Sequence, residues 1–166
     1  MADFLQCVEE CLDRTFKEFP SVSTLVEKKP GGTQQIVLQS GRQKLLYSFD
    51  KDKVNLYPFF YDIKGLKSIA DYMLFTKTDK GEPYVLIFEL KKSKNPVYQL
   101  MATKYFCVFL IERINMAQKC KFNPTIRMIG LVENAKGSTN PRNLQYDKRN
   151  ILTTSIRQLK LEDLLK

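Results

Sequence analysis

The 166-residue chain has no histidine. That absence excludes a histidine general base, a Ser-His-Asp triad and any zinc site that needs imidazole. Carboxylates, Lys, Cys, Ser/Thr or Tyr must carry any catalysis. Seven Gly and seven Pro leave no collagen-like or low-complexity tract, and no internal repeat is visible. Cys7, Cys11, Cys107 and Cys120 form no C-x-x-C pair, so the zinc-knuckle pattern is missing too. Cys7 and Cys11 stand one helical turn apart, a spacing that reads as core packing. No basic stretch followed by a long apolar run opens the chain at Met1-Ala2-Asp3-Phe4. Neither a signal peptide nor a lipidation site is therefore expected; the location expected is cytoplasmic, with reduced thiols and no membrane partner.

Positive charge is in excess. Lys and Arg number 27 against 18 Asp and Glu, a net +9, with 43% hydrophobic residues. Residues 1–50 are net −1, residues 51–100 net +3 and residues 101–166 net +7. A basic surface of this kind attracts polyanions, nucleic acid first, with an anionic membrane surface or an acidic protein behind it. The length suits one domain, residues 1–166.

Apolar periodicity places a helix over residues 3–19, with Phe4, Val8, Cys11, Leu12, Thr15, Phe16 and Phe19 along one stripe ending before Pro20. Gln35–Gln39 and Lys44–Phe49 flank Ser40-Gly41-Arg42 and suggest a hairpin. Residues 54–65 are aromatic and irregular, with Tyr57–Tyr61 read as core or lid packing. Ser68–Thr76 and Tyr84–Lys91 are apolar runs joined by Lys77–Glu82, an antiparallel hairpin whose strands are apolar on both faces and so belong inside a sheet. A helix is expected from Pro96 to Gln118. It is apolar nearly all round, so several faces are expected to be buried, with Tyr105, Phe106, Cys107 and Phe109 in the core. Thr125–Val132 and Ile151–Ser155 read as strands and Leu161–Leu165 as a last helical turn. The fold class is α/β, with a mixed central sheet flanked by helices.

Three charges interrupt the central hairpin: Asp71, Glu89 and Lys91. Side chains alternate along a strand, so Glu89 and Lys91 share a face. Centring the hairpin on Lys80 sets Asp71 opposite Glu89. Two facing carboxylates among apolar neighbours repel and lose hydration, which demands positive charge between them. Lys91 supplies one charge. A divalent cation supplies two, and Mg²⁺ suits such a site because it takes one or two carboxylates and keeps several waters. With a basic surface, this trio fits attack of water on a phosphodiester. The competing reading is a buried Asp71–Lys91 or Glu89–Lys91 ion pair without catalysis.

The pattern Ile69-Ala70-Asp71-Tyr72-Met73-Leu74, then Glu89-Leu90-Lys91, then Gln99-Leu100 resembles the PD-(D/E)XK, or restriction-endonuclease-like, nucleases over roughly residues 66–132. The resemblance implies a restriction-endonuclease-like core, with residues 3–19 as its opening helix. It also implies Asp71 and Glu89 as ligands of Mg²⁺ or Mn²⁺ together with the Leu90 backbone carbonyl. Lys91 would be the catalytic lysine and Gln99 a site residue on the following helix, with Glu9 the candidate acid from the opening helix. Ala70 stands where the family name has Pro. The expected function is a metal-dependent nuclease, with DNA ahead of RNA as substrate; a homodimer is suggested by analogy with small nucleases. The alternatives are an inactive nuclease-fold module that binds nucleic acid or a protein, and a hydrolase of small nucleotides. Lys92 and Lys94 are candidate phosphate contacts, as are Arg142, Lys148 and Arg149 in the polar loop 133–150, which also carries Lys136 and Tyr146, a candidate for base stacking.

Overall fold

A computed structural model describes residues 2–19, 24–29, 31–92, 95–133, 140–141 and 143–166. Lys94, Lys136 and Arg142 therefore lie outside the described residues.

Asp3 opens α1 (Phe4–Cys11), its carboxylate accepting from the Gln6 N–H. The helix is shorter than its apolar stripe predicts, because Asp13 accepts from the Thr15 N–H and starts a separate 3₁₀ turn, Arg14–Phe16. Cys11 is exposed at the C-terminal end of α1, against the expectation of core packing, while Cys7 and Cys107 are buried; all four cysteines are free.

The strands β1 (Lys17–Glu18), β2 (Thr24–Val26), β3 (Gln35–Gln39) and β4 (Lys44–Tyr47) follow. The suggested β3–β4 hairpin does not form. β4 joins a six-stranded sheet, whereas β3 pairs with β2 and with β9 (Gln158–Lys160) in a separate three-stranded sheet. Ser40–Gln43 thus carries the chain from one layer to another, a connection that alternation alone cannot tell from a turn.

In the larger sheet the order is β1-β4-β5-β6-β7-β8, with β5 (Tyr72–Lys77), β6 (Pro83–Lys91), β7 (Thr125–Val132) and β8 (Ile151–Thr154). The β1–β4–β5–β6 half is antiparallel, and β6, β7 and β8 run parallel. The crossover to β7 is α2 (Val97–Gln118). As their two apolar faces predict, β5 and β6 sit inside the sheet and are covered on both sides. Phe4, Val8, Leu100, Cys107 and Ile111 pack over Met73, Phe75, Val85 and Ile87. Leu25, Ile36, Leu38 and Leu159, with Leu161 and Leu164 of the single turn α3 (Leu161–Leu164), pack over Tyr72, Leu74, Leu86 and Phe88. The two longer helices, α1 and α2, lie on one face; the three-stranded sheet and the single turn α3 cover the other.

α2 departs from expectation in one respect. Its buried residues are Leu100, Thr103, Cys107, Ile111 and Ile114, a single stripe. Tyr105 and Phe109 are exposed, as are Phe59 and Tyr61 of the aromatic segment before β5. Among the described residues no helix is long and apolar enough to cross a membrane.

Candidate metal and catalytic site

The β5–β6 turn sets the site. Gly81 takes a positive φ of 82°, and the Thr78 and Gly81 N–H groups close the turn onto the Glu82 and Thr78 carbonyls. With Tyr72 opposite Phe88 and Lys77 opposite Pro83, the ladder is unbulged. The same register carries one step further to Asp71 opposite Glu89, on the face that α2 covers.

The contacts are short. The Asp71 N–H donates to Glu89 Oε2 at 3.2 Å. Asp71 Oδ2 accepts from the Leu90 N–H at 2.8 Å and Oδ1 from the Lys28 N–H at 3.3 Å. Lys91 Nζ stands 3.4 Å from Glu89 Oε1. Asp71 is 2% exposed, Glu89 1% and Lys91 8%. Within a strand the N–H and C=O of one residue point to the same side, so the Leu90 carbonyl faces the same edge as the N–H held by Asp71.

Burial first, and repulsion by Asp71 second, push the Glu89 carboxyl up to about 8, a rise that Lys91 and Lys29 partly offset. Burial also lifts Asp71, to about 6, against the pull of the Leu90 and Lys28 N–H groups. Both acids are therefore easier to protonate than free carboxylates, chiefly because burial strips their charged forms of water.

α2 is seated on this site by a missing side chain. Gly130 of β7 pairs with Glu89, and a Cβ there would come 2.4 Å from Pro96 Cγ. Only glycine lets the first turn of α2 descend so far. One turn on, Thr103 Oγ1 accepts from the Ala70 N–H at 2.7 Å and donates to the Gln99 carbonyl at 2.8 Å. Gln99 thus lies on the helix edge that meets Ala70-Asp71.

The structure brings Asp71, Glu89, Leu90 and Lys91 together, with Gln99 on the adjoining helix face. Glu9 stays apart, engaged by Lys17 at the surface. Lys92 and Lys148 are exposed. Arg149 is held by Asp147 at 2.9 Å, so its charge is partly spent within its own loop. Tyr146 is not available for stacking. Its hydroxyl donates to the Leu164 carbonyl and the Arg127 guanidinium covers its ring, because the chain here turns inward to start β8.

Sequence reasoning missed the segment Glu27–Lys29 and Asp50. Beyond the Lys28 N–H bond, Asp50 and Glu27 raise the Asp71 pKa, and Lys29 stabilises both Glu89 and Asp50 as anions. The Lys28 ammonium is committed to Glu18 at 3.1 Å and to the Tyr72 ring. The doublet Lys28-Lys29 ahead of Pro30-Gly31-Gly32 was the one available signal, a basic turn of unknown neighbours.

Among the described residues no three His, Cys, Asp or Glu side chains converge as a ligand group. A cation here would rest on Asp71, Glu89 and the Leu90 carbonyl, with water completing its shell. That all-oxygen, water-rich set fits Mg²⁺ or Mn²⁺. Comparison of the chain with protein-family models, with curated proteins and with solved structures found no match.

Proposed function

We propose that this chain is a metal-dependent nuclease built on a restriction-endonuclease-like core, with DNA ahead of RNA as substrate. The observation that carries the reading is the rung Asp71–Glu89: two buried acids share one face, Asp71 raises the Glu89 pKa, and an ammonium stands alongside. The order α1, β4, β5, β6, α2, β7, with the acids on β5's leading edge and on β6, supports the core assignment.

Asp71, Glu89 and the Leu90 carbonyl would hold Mg²⁺ or Mn²⁺, which when bound polarises the phosphate and acidifies the attacking water. Lys91 Nζ faces the same pocket of charge and orients that water or meets the negative charge that develops on the phosphate. Gln99 extends the polar edge from α2. Lys29 and Lys92, exposed at the rim, draw the polyanion in. In the reaction water forms a new bond to phosphorus, the ester P–O bond breaks, and the departing oxygen leaves as a hydroxyl.

A specific observation favours a second reading, an inactive module that binds nucleic acid or protein. All four carboxylate oxygens already have partners: the Leu90, Lys28 and Asp71 N–H groups and Lys91. One assay separates the two. Single- and double-stranded DNA and RNA are incubated with wild type and Asp71→Asn in Mg²⁺, Mn²⁺ or EDTA. Cleavage that needs the metal and vanishes in Asp71→Asn supports the nuclease. Salt-sensitive binding with no cleavage under any metal supports the module, and cleavage that survives both EDTA and Asp71→Asn removes the site altogether.

A further inference from the structure

The aromatic segment before β5 and the outer face of α2 enclose a groove of about 580 Å³, lined by six aromatic rings: Tyr57, Phe59, Phe60, Tyr105, Phe106 and Phe109. Three of the rings face solvent, Phe59 being 73% exposed, Tyr105 69% and Phe109 57%. The floor of the groove is packed. Phe60 lies 5.8 Å from Tyr57 and Tyr57 lies 5.9 Å from Phe106, whose ring rests in turn on buried Phe49 at 5.2 Å. The groove continues into a second hollow of about 250 Å³, which shares Leu56 and Tyr57 with it and is lined also by Asp50, Asn55, Lys67 and Ile69. Asp50 is close enough to Asp71 to raise its pKa, and Ile69 stands two residues before Asp71 in the chain. One trough thus leads from the acid rung to the aromatic rings.

We infer that this trough seats an unpaired strand of DNA, its bases stacked on the aromatic rings and its backbone led to the Asp71–Glu89 rung. As a substrate assignment this rests on the nuclease reading, which it narrows from DNA in general to DNA with a single-stranded stretch. Every base has a flat face that an aromatic ring can stack on, whereas a duplex keeps those faces inside its own stack. The charges at the rim suit a phosphate backbone. Residues 53–67 hold Lys53, Lys64 and Lys67 against Asp62 alone, and among the described residues none of these lysines has an ion-pair partner. On α2, Gln99, Ala102, Phe106, Phe109 and Arg113 advance by three, four, three and four residues, so they form one line along the helix. That line starts at the helix edge beside Ala70-Asp71 and ends at Arg113, an exposed cation likewise without an ion-pair partner among the described residues. Its length is about 21 Å at 1.5 Å per residue. A stacked strand rising 3.4 Å per nucleotide would place roughly six nucleotides on it. An apolar peptide would meet the same rings but leave all four cations unused.

Fluorescence anisotropy of the full chain in EDTA reads binding apart from cleavage. A labelled DNA single strand of about twelve nucleotides, within the range one stacking surface spans, is expected to bind about tenfold more tightly than the duplex made from it. Phe59→Ala and Tyr105→Ala should each weaken strand binding about tenfold, the scale of losing one stacked base. Their circular dichroism spectra should match wild type, since both side chains are mostly exposed. Arg113→Ala should lower the slope of log affinity against log salt by about 0.7, one phosphate contact on a single strand. Equal affinity for strand and duplex, or strand binding indifferent to both aromatic variants, overturns the proposal. A dimer that Tyr105→Ala dissociates while strand binding stays unchanged overturns it in favour of a second copy on this face. The two readings fail separately. Strand binding as expected, with no cleavage in Mg²⁺ or Mn²⁺, removes the nuclease and leaves the strand seat; metal-dependent cleavage with binding indifferent to Phe59→Ala and Tyr105→Ala removes the seat and leaves the nuclease.

Discussion

Two rungs of the β5–β6 ladder stand side by side on the same face of the sheet. Met73 lies opposite Ile87, and two residues away the same register sets Asp71 opposite Glu89. Water is shut out of both: none of the four residues is more than 2% exposed. Their energetic signs are opposite. Burying Ile87 stabilises the fold by about 1.5–3 kcal/mol. Burying two facing acids destabilises it unless one is protonated or a cation joins them. A rung chosen for stability alone would carry two more aliphatic side chains. The polar rung is better explained by what it can hold, and the contrast between the two can be tested directly.

The largest effect should be on chemistry. Glu89→Gln is expected to lower metal-dependent DNA cleavage about a thousandfold or more, the scale of losing a principal electrostatic group in an active site. Ile87→Ala should leave the folded protein active while costing about 2–5 kcal/mol in urea unfolding. A Glu89→Gln protein that cleaves DNA like wild type would erase the distinction between the rungs.

Stability should move the other way. The Glu89 carboxyl is raised from 4.5 to about 8 in the folded protein. A raised carboxyl adds stability that is complete below the unfolded pKa and is lost as pH climbs through the folded one. Metal-free wild type should therefore unfold more easily at pH 8.5 than at pH 5, with most of the loss between about pH 4.5 and 8. Glu89→Gln should flatten that slope and gain on the order of 4 kcal/mol over wild type at pH 8, at 1.36 kcal/mol per pKa unit. Thermal melts in EDTA across this range read both. No slope, or a slope of the opposite sign, would mean that the acids are not confined together as described.

Mn²⁺ should reverse the alkaline loss. At a hundred times its dissociation constant a ligand adds about 2.7 kcal/mol. That gain should appear in wild type and be absent from both Asp71→Asn and Glu89→Gln, read as a melting shift abolished by EDTA.

Much of this rung was legible in the sequence, because a hairpin is a local object. Gly81 and the Thr78–Glu82 closure fix its centre, and one centre fixes every pair. The layer built from β2, β3 and β9 was not legible. Val37 meets Gln158 across most of the chain length, and alternation along β3 is the same whichever partner it finds. Asp50, Lys28 and Lys29 reach the site from loop positions that no period marks. α2 was misread for a different reason. Two stripes on opposite faces look like uniform hydrophobicity, and the sequence does not say that only one of them meets the sheet.

The smallest expected effect separates the lysine from the acids. Lys91 lowers the Glu89 pKa, so Lys91→Met should leave stability at pH 5 nearly unchanged, where Glu89 is protonated. At pH 9 it should cost about 1 kcal/mol, because the carboxylate then loses its nearest cation. Cleavage should fall while Mn²⁺ still raises the melting temperature, since Lys91 contributes no oxygen to the cation. Should Lys91→Met abolish the Mn²⁺ shift as fully as Glu89→Gln does, the lysine would be holding Glu89 in place rather than serving the phosphate. The trio would then be a buried ion-pair network, and the polar rung would need no reaction to explain it.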